Sequence, residues 1–166
     1  GYWLVRDGVS AHFAVQALET EKDNSALTVY APIKPTKNRG DIINATMLSV
    51  NYSSPMKNVI SVRLSHFAGC NDVGPKFTLL RDSAFKPSIA ETTDEATLTA
   101  GELSVHVSKG DSWNVSFRAA GKTLTKSESK SAGYMVDGKL GPFMKDELSL
   151  GVGECVYGLG ERFGPF

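Results

Sequence analysis

The residues whose types and spacing suggest chemistry crowd into LSLGVGECVYGLGERFGPF, residues 148–166, with five glycines, three aromatics and the adjacent acid–base pair Glu161 and Arg162. Closely spaced glycines suggest a loop that cradles phosphate, but the dinucleotide register G-x-G-x-x-G fails. Gly151-x-Gly153 needs a third glycine where Val156 stands, and Gly158-x-Gly160 needs one where Phe163 stands. A P-loop closing on Gly121-Lys122-Thr123 would need its first glycine at Ser116. The glycines therefore read as tight turns, and no cofactor is called for.

Nucleophilic and metal chemistry find little support. His66 and His106 lie in strand-like contexts, His12 lies in an ambiguous one, and no serine occupies a Gly-x-Ser-x-Gly elbow. A single histidine on a strand reads as a half-buried packing residue. There is no H-E-x-x-H for zinc, and two cysteines, Cys70 and Cys155, are too few for a disulfide framework. They read as free, buried thiols. Glycosidic chemistry needs two carboxylates facing each other across a substrate. The acids here cluster instead in AETTDEAT (90–97) and KDELS (145–149), which read as solvated turns or edges. The charges that stand out are Glu161 and Arg162, set among Tyr157, Leu159 and Phe163, a neighbourhood that points to an ion-pairing node covered by another domain.

At 166 residues the chain fits one domain, and 41% hydrophobic against 22% charged residues supplies a sizeable core. Eighteen basic and eighteen acidic residues cancel, so the positive field that nucleic-acid binding uses is missing. No apolar run approaches the ~20 residues of a membrane span. Asn44-Ala-Thr46, Asn51-Tyr-Ser53 and Asn114-Val-Ser116 match the glycosylation triplet, so secretion and a cytoplasmic location both stay open.

The elements that must position these residues are strands. ALTVYAP (26–32), ATMLSVNYS (45–53), NVISVRLSHF (58–67), GELSVHVSK (101–109) and SWNVSFRAAG (112–121) alternate apolar with small or polar residues. In the third of these, Val62, Leu64 and His66 share a face, and Val62 and Leu64 make it the more apolar one. Turns are expected at Arg6-Asp7-Gly8, Glu21 to Asn24, Asn38-Arg39-Gly40, Lys109-Gly110-Asp111, Ala120-Gly121 and Asp137-Gly138, the fourth being the tip of a hairpin. AVQALETEK (14–22) fits a short helix or a strand. APIKPTKNRGD (31–41) and TLTKSESKSAG (123–133) read as surface loops. No repeat or low-complexity tract is present.

At the closing residues the sequence resembles the segment that joins the N-terminal β-sandwich to the catalytic barrel in glycoside hydrolase family 31. GYWLVRDGV (1–9), VRLSHFAG (62–69) and ELSVHVSKGDSWNVSF (102–117) are similar to the same domain in the α-xylosidase branch, in the same order. The resemblance implies an all-β, galactose mutarotase-like antiparallel sandwich over residues 1–150, without the catalytic barrel. Residues 151–166 would be a connecting segment leading toward a (β/α)8 barrel that this chain lacks. It also implies retaining hydrolysis of α-linked sugars by an Asp nucleophile and an Asp acid/base on that barrel. Those motifs have no matching positions here, so no catalytic residue is assigned to this chain and alone it is expected to be inactive.

On the same grounds Tyr157, Gly158, Gly160, Glu161, Arg162 and Phe163 are expected at the domain junction, bordering the substrate entrance. The expected partners are the barrel of the same enzyme and an α-xyloside or α-glucoside, with a homo-oligomer left open. Two alternatives stand beside this. One is an independent carbohydrate-binding sandwich using Trp3, Trp113 or Tyr134, against which core packing of the two tryptophans is favoured. The other is a structural sandwich with an interacting edge strand.

Overall fold

The computed structural model describes residues 5–43, 45–66, 78 and 80–158. The antiparallel sandwich expected from the alternation is what the described residues form, and no sheet among them closes into a barrel. Strands β2 (Glu19–Lys22), β3 (Ala26–Pro32), β4 (Met47–Ser53) and β5 (Ser61–Ser65) form one sheet in that order. A second sheet runs β10 (Lys122–Ser127), β9 (Val115–Ala119), β8 (Leu103–Ser108), β7 (Glu95–Ala100) and β6 (Ser88–Glu91). A third sets β1 (Val9–Phe13), β11 (Gly133–Asp137) and β12 (Gly141–Lys145) side by side. All pairings are antiparallel.

Alternation builds the core directly. In β3 and β4 the register sets Leu27 against Tyr52, Val29 against Val50 and Ala31 against Leu48, all on the buried face. In the second sheet Leu98 pairs with Val105 and Ala96 with Val107, and Val115 continues the same face. The two inner faces meet in one cluster, where each large aliphatic side chain contributes about 1.5–3 kcal/mol by leaving water. Val62 and Leu64 do share a face in β5. Leu64 packs on the core, whereas Val62, on this edge strand, stays 38% exposed.

The expected hairpin tip at Lys109-Gly110-Asp111 joins β8 to β9, with the Ser108 amide donating to the Asn114 carbonyl at 3.0 Å. Ala120 and Gly121 take φ of 50° and 74° between β9 and β10, the left-handed pair that a tight two-residue hairpin needs. Asn38-Arg39-Gly40 forms more than a turn. Asn38 caps the single-turn helix α1 (Arg39–Ile42), whose Asp41 reaches back to the Asn38 amide.

Three segments differ from the sequence reading. The stretch at 123–133 is not all loop, because β10 occupies Lys122–Ser127 as an edge strand whose polar side chains need no burial. AVQALETEK becomes irregular chain with Ala14 and Ala17 buried, followed by β2. AETTDEAT is the β6–β7 hairpin: Glu91 on the edge strand β6 and Asp94 in the turn are exposed as read, while Glu95 differs by standing on the inner strand β7. Cys155 is a free thiol but exposed rather than buried, because the tail that carries it lies on the surface, and Cys70 lies outside the described residues.

Candidate domain interface

Beyond β12 the chain leaves the sheets and, among the described residues, is fastened at Ser149. The Ser149 amide donates to the Lys126 carbonyl at 2.8 Å and the Lys126 amide to Ser149 Oγ at 2.9 Å. Thr125 Oγ1 donates to the Ser149 carbonyl at 2.7 Å, so the tail is tied to the edge of β10. The Gly151 and Glu154 turn follows, closed by the Glu154 amide donating to the Gly151 carbonyl at 3.1 Å. From there Val156 and Tyr157 stand in solvent, Tyr157 86% exposed, and Gly158 takes φ 79°. Leu148, Leu150 and Val152 are exposed on the same tail, an unusual run of apolar side chains for a free surface. Of the expected junction residues the structure thus places Tyr157 and Gly158, both exposed. Gly160, Glu161, Arg162 and Phe163 lie outside the described residues.

The third sheet borders this tail through β12. Cross-strand partners share a face, so Ser10, His12, Tyr134, Val136 and Met144 lie together, while Val9, Ala11, Phe13, Met135 and Phe143 lie on the other side. Within the first set Tyr134 is buried and stacks between His12 at 4.7 Å and His66 at 3.9 Å, ring centre to ring centre, while Ser10, Val136 and Met144 are exposed. Gly133 lets β1 and β11 approach, since a Cβ there would sit 2.1 Å from the His12 carbonyl oxygen.

Charge chemistry is gathered on the outer side of the second sheet, where sequence reasoning saw solvated acids and a solitary histidine. His106 Nδ1 lies 2.8 Å from Glu95 Oε1, and its Nε2 lies 2.9 Å from Ser104 Oγ. Arg118 approaches Glu95 at 3.7 Å and donates from Nε to Ser116 Oγ at 3.0 Å. Desolvation pushes the Glu95 carboxyl up, but the His106 hydrogen bond and the nearby cations outweigh it and leave the pKa lowered. Ser104, His106 and Glu95 follow the order of a hydrolytic triad. However, β8 is an inner strand whose backbone N–H groups serve its neighbours, leaving none on that strand for an oxyanion. The cluster is a clasp between strands. Its signal in the sequence was the period-two register of Glu95, Thr97, Ser104, His106 and Ser116, readable only once the hairpin pairings are known. Glu91 makes a second clasp with Lys109 and Thr20, and the Lys109 hydrogen bond leads in lowering its carboxyl pKa.

In the second acidic run Asp146 and Glu147 are exposed, as read, but the surroundings of Asp146 are partly apolar. Asp146 lines a narrow crevice with Tyr52, Leu64, Trp113 and Phe117, and desolvation raises its pKa despite the Glu147 amide and Lys145. Burial likewise pushes the Tyr52 hydroxyl upward, with the Asp146 charge adding to it. Two of the three aromatics of the carbohydrate-binding alternative are buried: Trp113 is 2% exposed with Nε1 bonded to Ser127 Oγ at 3.1 Å, and Tyr134 is 8% exposed. Core packing of Trp113 is thus what the fold shows, and Trp3 lies outside the described residues. Among the glycosylation triplets, Asn51 sits on the inner strand β4 with Nδ2 bonded to Thr28 Oγ1 at 3.0 Å. Asn114 is exposed at the end of the β8–β9 connection, and Asn44 lies outside the described residues.

The fold and its exposed apolar margin describe a sandwich domain. Residues 49–166 match the Glycosyl hydrolase 31 N-terminal galactose mutarotase-like domain, and the chain belongs to that family. It is 33% identical over 170 residues to the alpha-xylosidase XylQ of Lactiplantibacillus pentosus and 32% identical over 188 residues to an alpha-xylosidase of Emericella nidulans. Each match takes in 100% of this chain but only 22% and 24% of the relative, so the chain spans less than a quarter of their length. Among solved structures, the cycloalternan-forming enzyme from Listeria monocytogenes superposes with a TM-score of 0.54 at 16% identity. That match covers 79% of this chain and 11% of the other, and it is a likeness of fold.

Proposed function

We propose that this chain is the non-catalytic N-terminal β-sandwich of a retaining α-glycosidase acting on α-xylosides or α-glucosides. In this reading residues 1–150 form the sandwich. Residues 151–166 connect it to a catalytic barrel, which the domain supports and whose substrate pocket it borders. What carries the reading is similarity along the whole chain to proteins named as alpha-xylosidases, of which it covers under a quarter. The charge arrangement agrees with a supporting role. Glu91 and Glu95 are spent on ion pairs between strands, and Asp146 looks into a crevice of the core.

The exposed tail suits a connector. Leu148, Leu150, Val156 and Tyr157 sit on a segment with little to bury them here, and a neighbouring domain would remove them from water. Tyr157, Gly158, Gly160, Glu161, Arg162 and Phe163 are assigned to that junction, where an Arg fork covered by a second domain has carboxylate or carbonyl partners available. The test is release of p-nitrophenol from p-nitrophenyl α-xyloside and α-glucoside. The polypeptide extended by whatever follows Phe166 in the natural protein is expected to turn one of them over, and the 166-residue chain neither. Turnover by the short chain contradicts the reading.

A further inference from the structure

We propose that Asn114 is the attachment site of an N-linked glycan, and that it carries the glycan in preference to Asn51. Asn114-Val-Ser116 and Asn51-Tyr-Ser53 fit the acceptor triplet equally well, so the sequence ranks neither and the fold decides. A folded glycoprotein needs the asparagine side chain in solvent, with room for a bulky sugar and no task for the amide in holding the chain. Trp113 and Val115 point inward, 2% and 0% exposed, and Asn114 between them is exposed. Its carbonyl accepts the Ser108 amide at 3.0 Å, which fixes the backbone at the entry to β9. Its side chain makes no hydrogen bond among the described residues. Gly110, Asp111 and Ser112, which precede it in the β8–β9 connection, are exposed too, so a sugar at Asn114 meets solvent.

Asn51 fails the same requirements. It is half-buried on the inner strand β4, opposite Thr28 on one side and Arg63 on the other, and its Nδ2 donates to Thr28 Oγ1 at 3.0 Å. A sugar on Nδ2 would take one of its two N–H donors and press a bulky group against both neighbouring strands. At Asn114 the same attachment costs the fold no hydrogen bond. Ser116, the third residue of the triplet, is buried in the finished fold, so the transfer belongs to the chain before β9 is in place. The donor is a lipid-linked oligosaccharide diphosphate. Asn114 Nδ2 bonds to the anomeric carbon of its first N-acetylglucosamine, and the bond from that carbon to the diphosphate oxygen breaks. The diphosphate leaves with the electron pair, and the proton displaced from Nδ2 passes to it.

Peptide mapping of the natural protein, purified from its source together with whatever follows Phe166, tests this without any variant. Trypsin releases residues 110–118, with Asn114 as the one asparagine, separately from residues 40–57, which hold Asn44 and Asn51. Treatment with a peptide N-glycosidase in heavy-oxygen water turns each glycosylated asparagine into a labelled aspartate. Unmodified 110–118 is expected to be the minor form before treatment, with the label at position 114 afterwards and position 51 unlabelled. Recovery of 110–118 mainly as the unmodified peptide overturns the proposal, and so does label at position 51. In a secreting eukaryotic host, Asn114→Gln in the extended protein should lose the mass of one glycan, whereas Asn51→Gln should lose none. A glycan lost from Asn51→Gln and kept in Asn114→Gln overturns the assignment. Glycoside turnover has no bearing on either outcome, so the functional reading and the glycan site stand or fall separately.

Discussion

Asp146 and Glu95 show how neighbouring atoms give two carboxyls opposite behaviour. The Asp146 pKa is raised by desolvation, so its contribution to stability is present below the ordinary value of about 4 and is lost as pH rises above it. Asp146→Asn is therefore expected to raise the urea midpoint of this chain at pH 7, with the difference disappearing by about pH 4. An unchanged midpoint at pH 7 would contradict the assignment. Glu95 has the opposite sign. Its lowered pKa makes the clasp with His106 stabilising above about pH 4.3, and that stability is lost as pH falls through the depressed value. Glu95→Gln should flatten the acid side of the stability profile, and a profile as steep as the original would count against the clasp. At Gly133 the constraint is steric. Gly133→Ala forces a methyl group onto the His12 carbonyl and is expected to cost about 1–3 kcal/mol in urea unfolding. None of these was legible in the sequence, because each depends on which strand lies opposite.

At the scale of elements, legibility followed burial only in part: β7 buries Ala96, Leu98 and Ala100 in alternation but was missed because its acids and threonines read as a solvated run. β3, β4, β5, β8 and β9 each have at least one inward side chain in or against the common core and alternate outward, so period two announced them. β10 was missed because an edge strand of Lys, Thr and Ser buries little and reads like a loop. β11 and β12 were missed for the converse reason: GYMVD and GPFMK carry apolar residues on both faces, and alternation vanishes. The tail at Ser149 is held to β10 by hydrogen bonds of its backbone and its hydroxyl. Ser149→Ala removes the acceptor of the Lys126 amide, whose hydrogen exchange should accelerate. An unaltered Lys126 amide would mean that the tail is held elsewhere.

At the scale of the molecule, the family could be named from the run at 157–163 together with three upstream segments, and it is the family the chain belongs to. The sandwich class was likewise legible, since turns recur between short alternating runs. The candidate interface was legible only in part. Its tail is visible in the sequence as apolar residues mixed with glycine, whereas the sheet of β1, β11 and β12 that borders the tail emerges only when the pairings are known. In the proposed reading this sandwich serves a retaining α-glycosidase without catalysing. The most direct measurement follows the first-formed sugar anomer by proton NMR, mixing p-nitrophenyl α-xyloside with the extended protein and, separately, with the 166-residue chain. The account predicts α-xylose appearing first with the extended protein and no release with the short chain. The β-anomer appearing first, or release by the short chain, would contradict it.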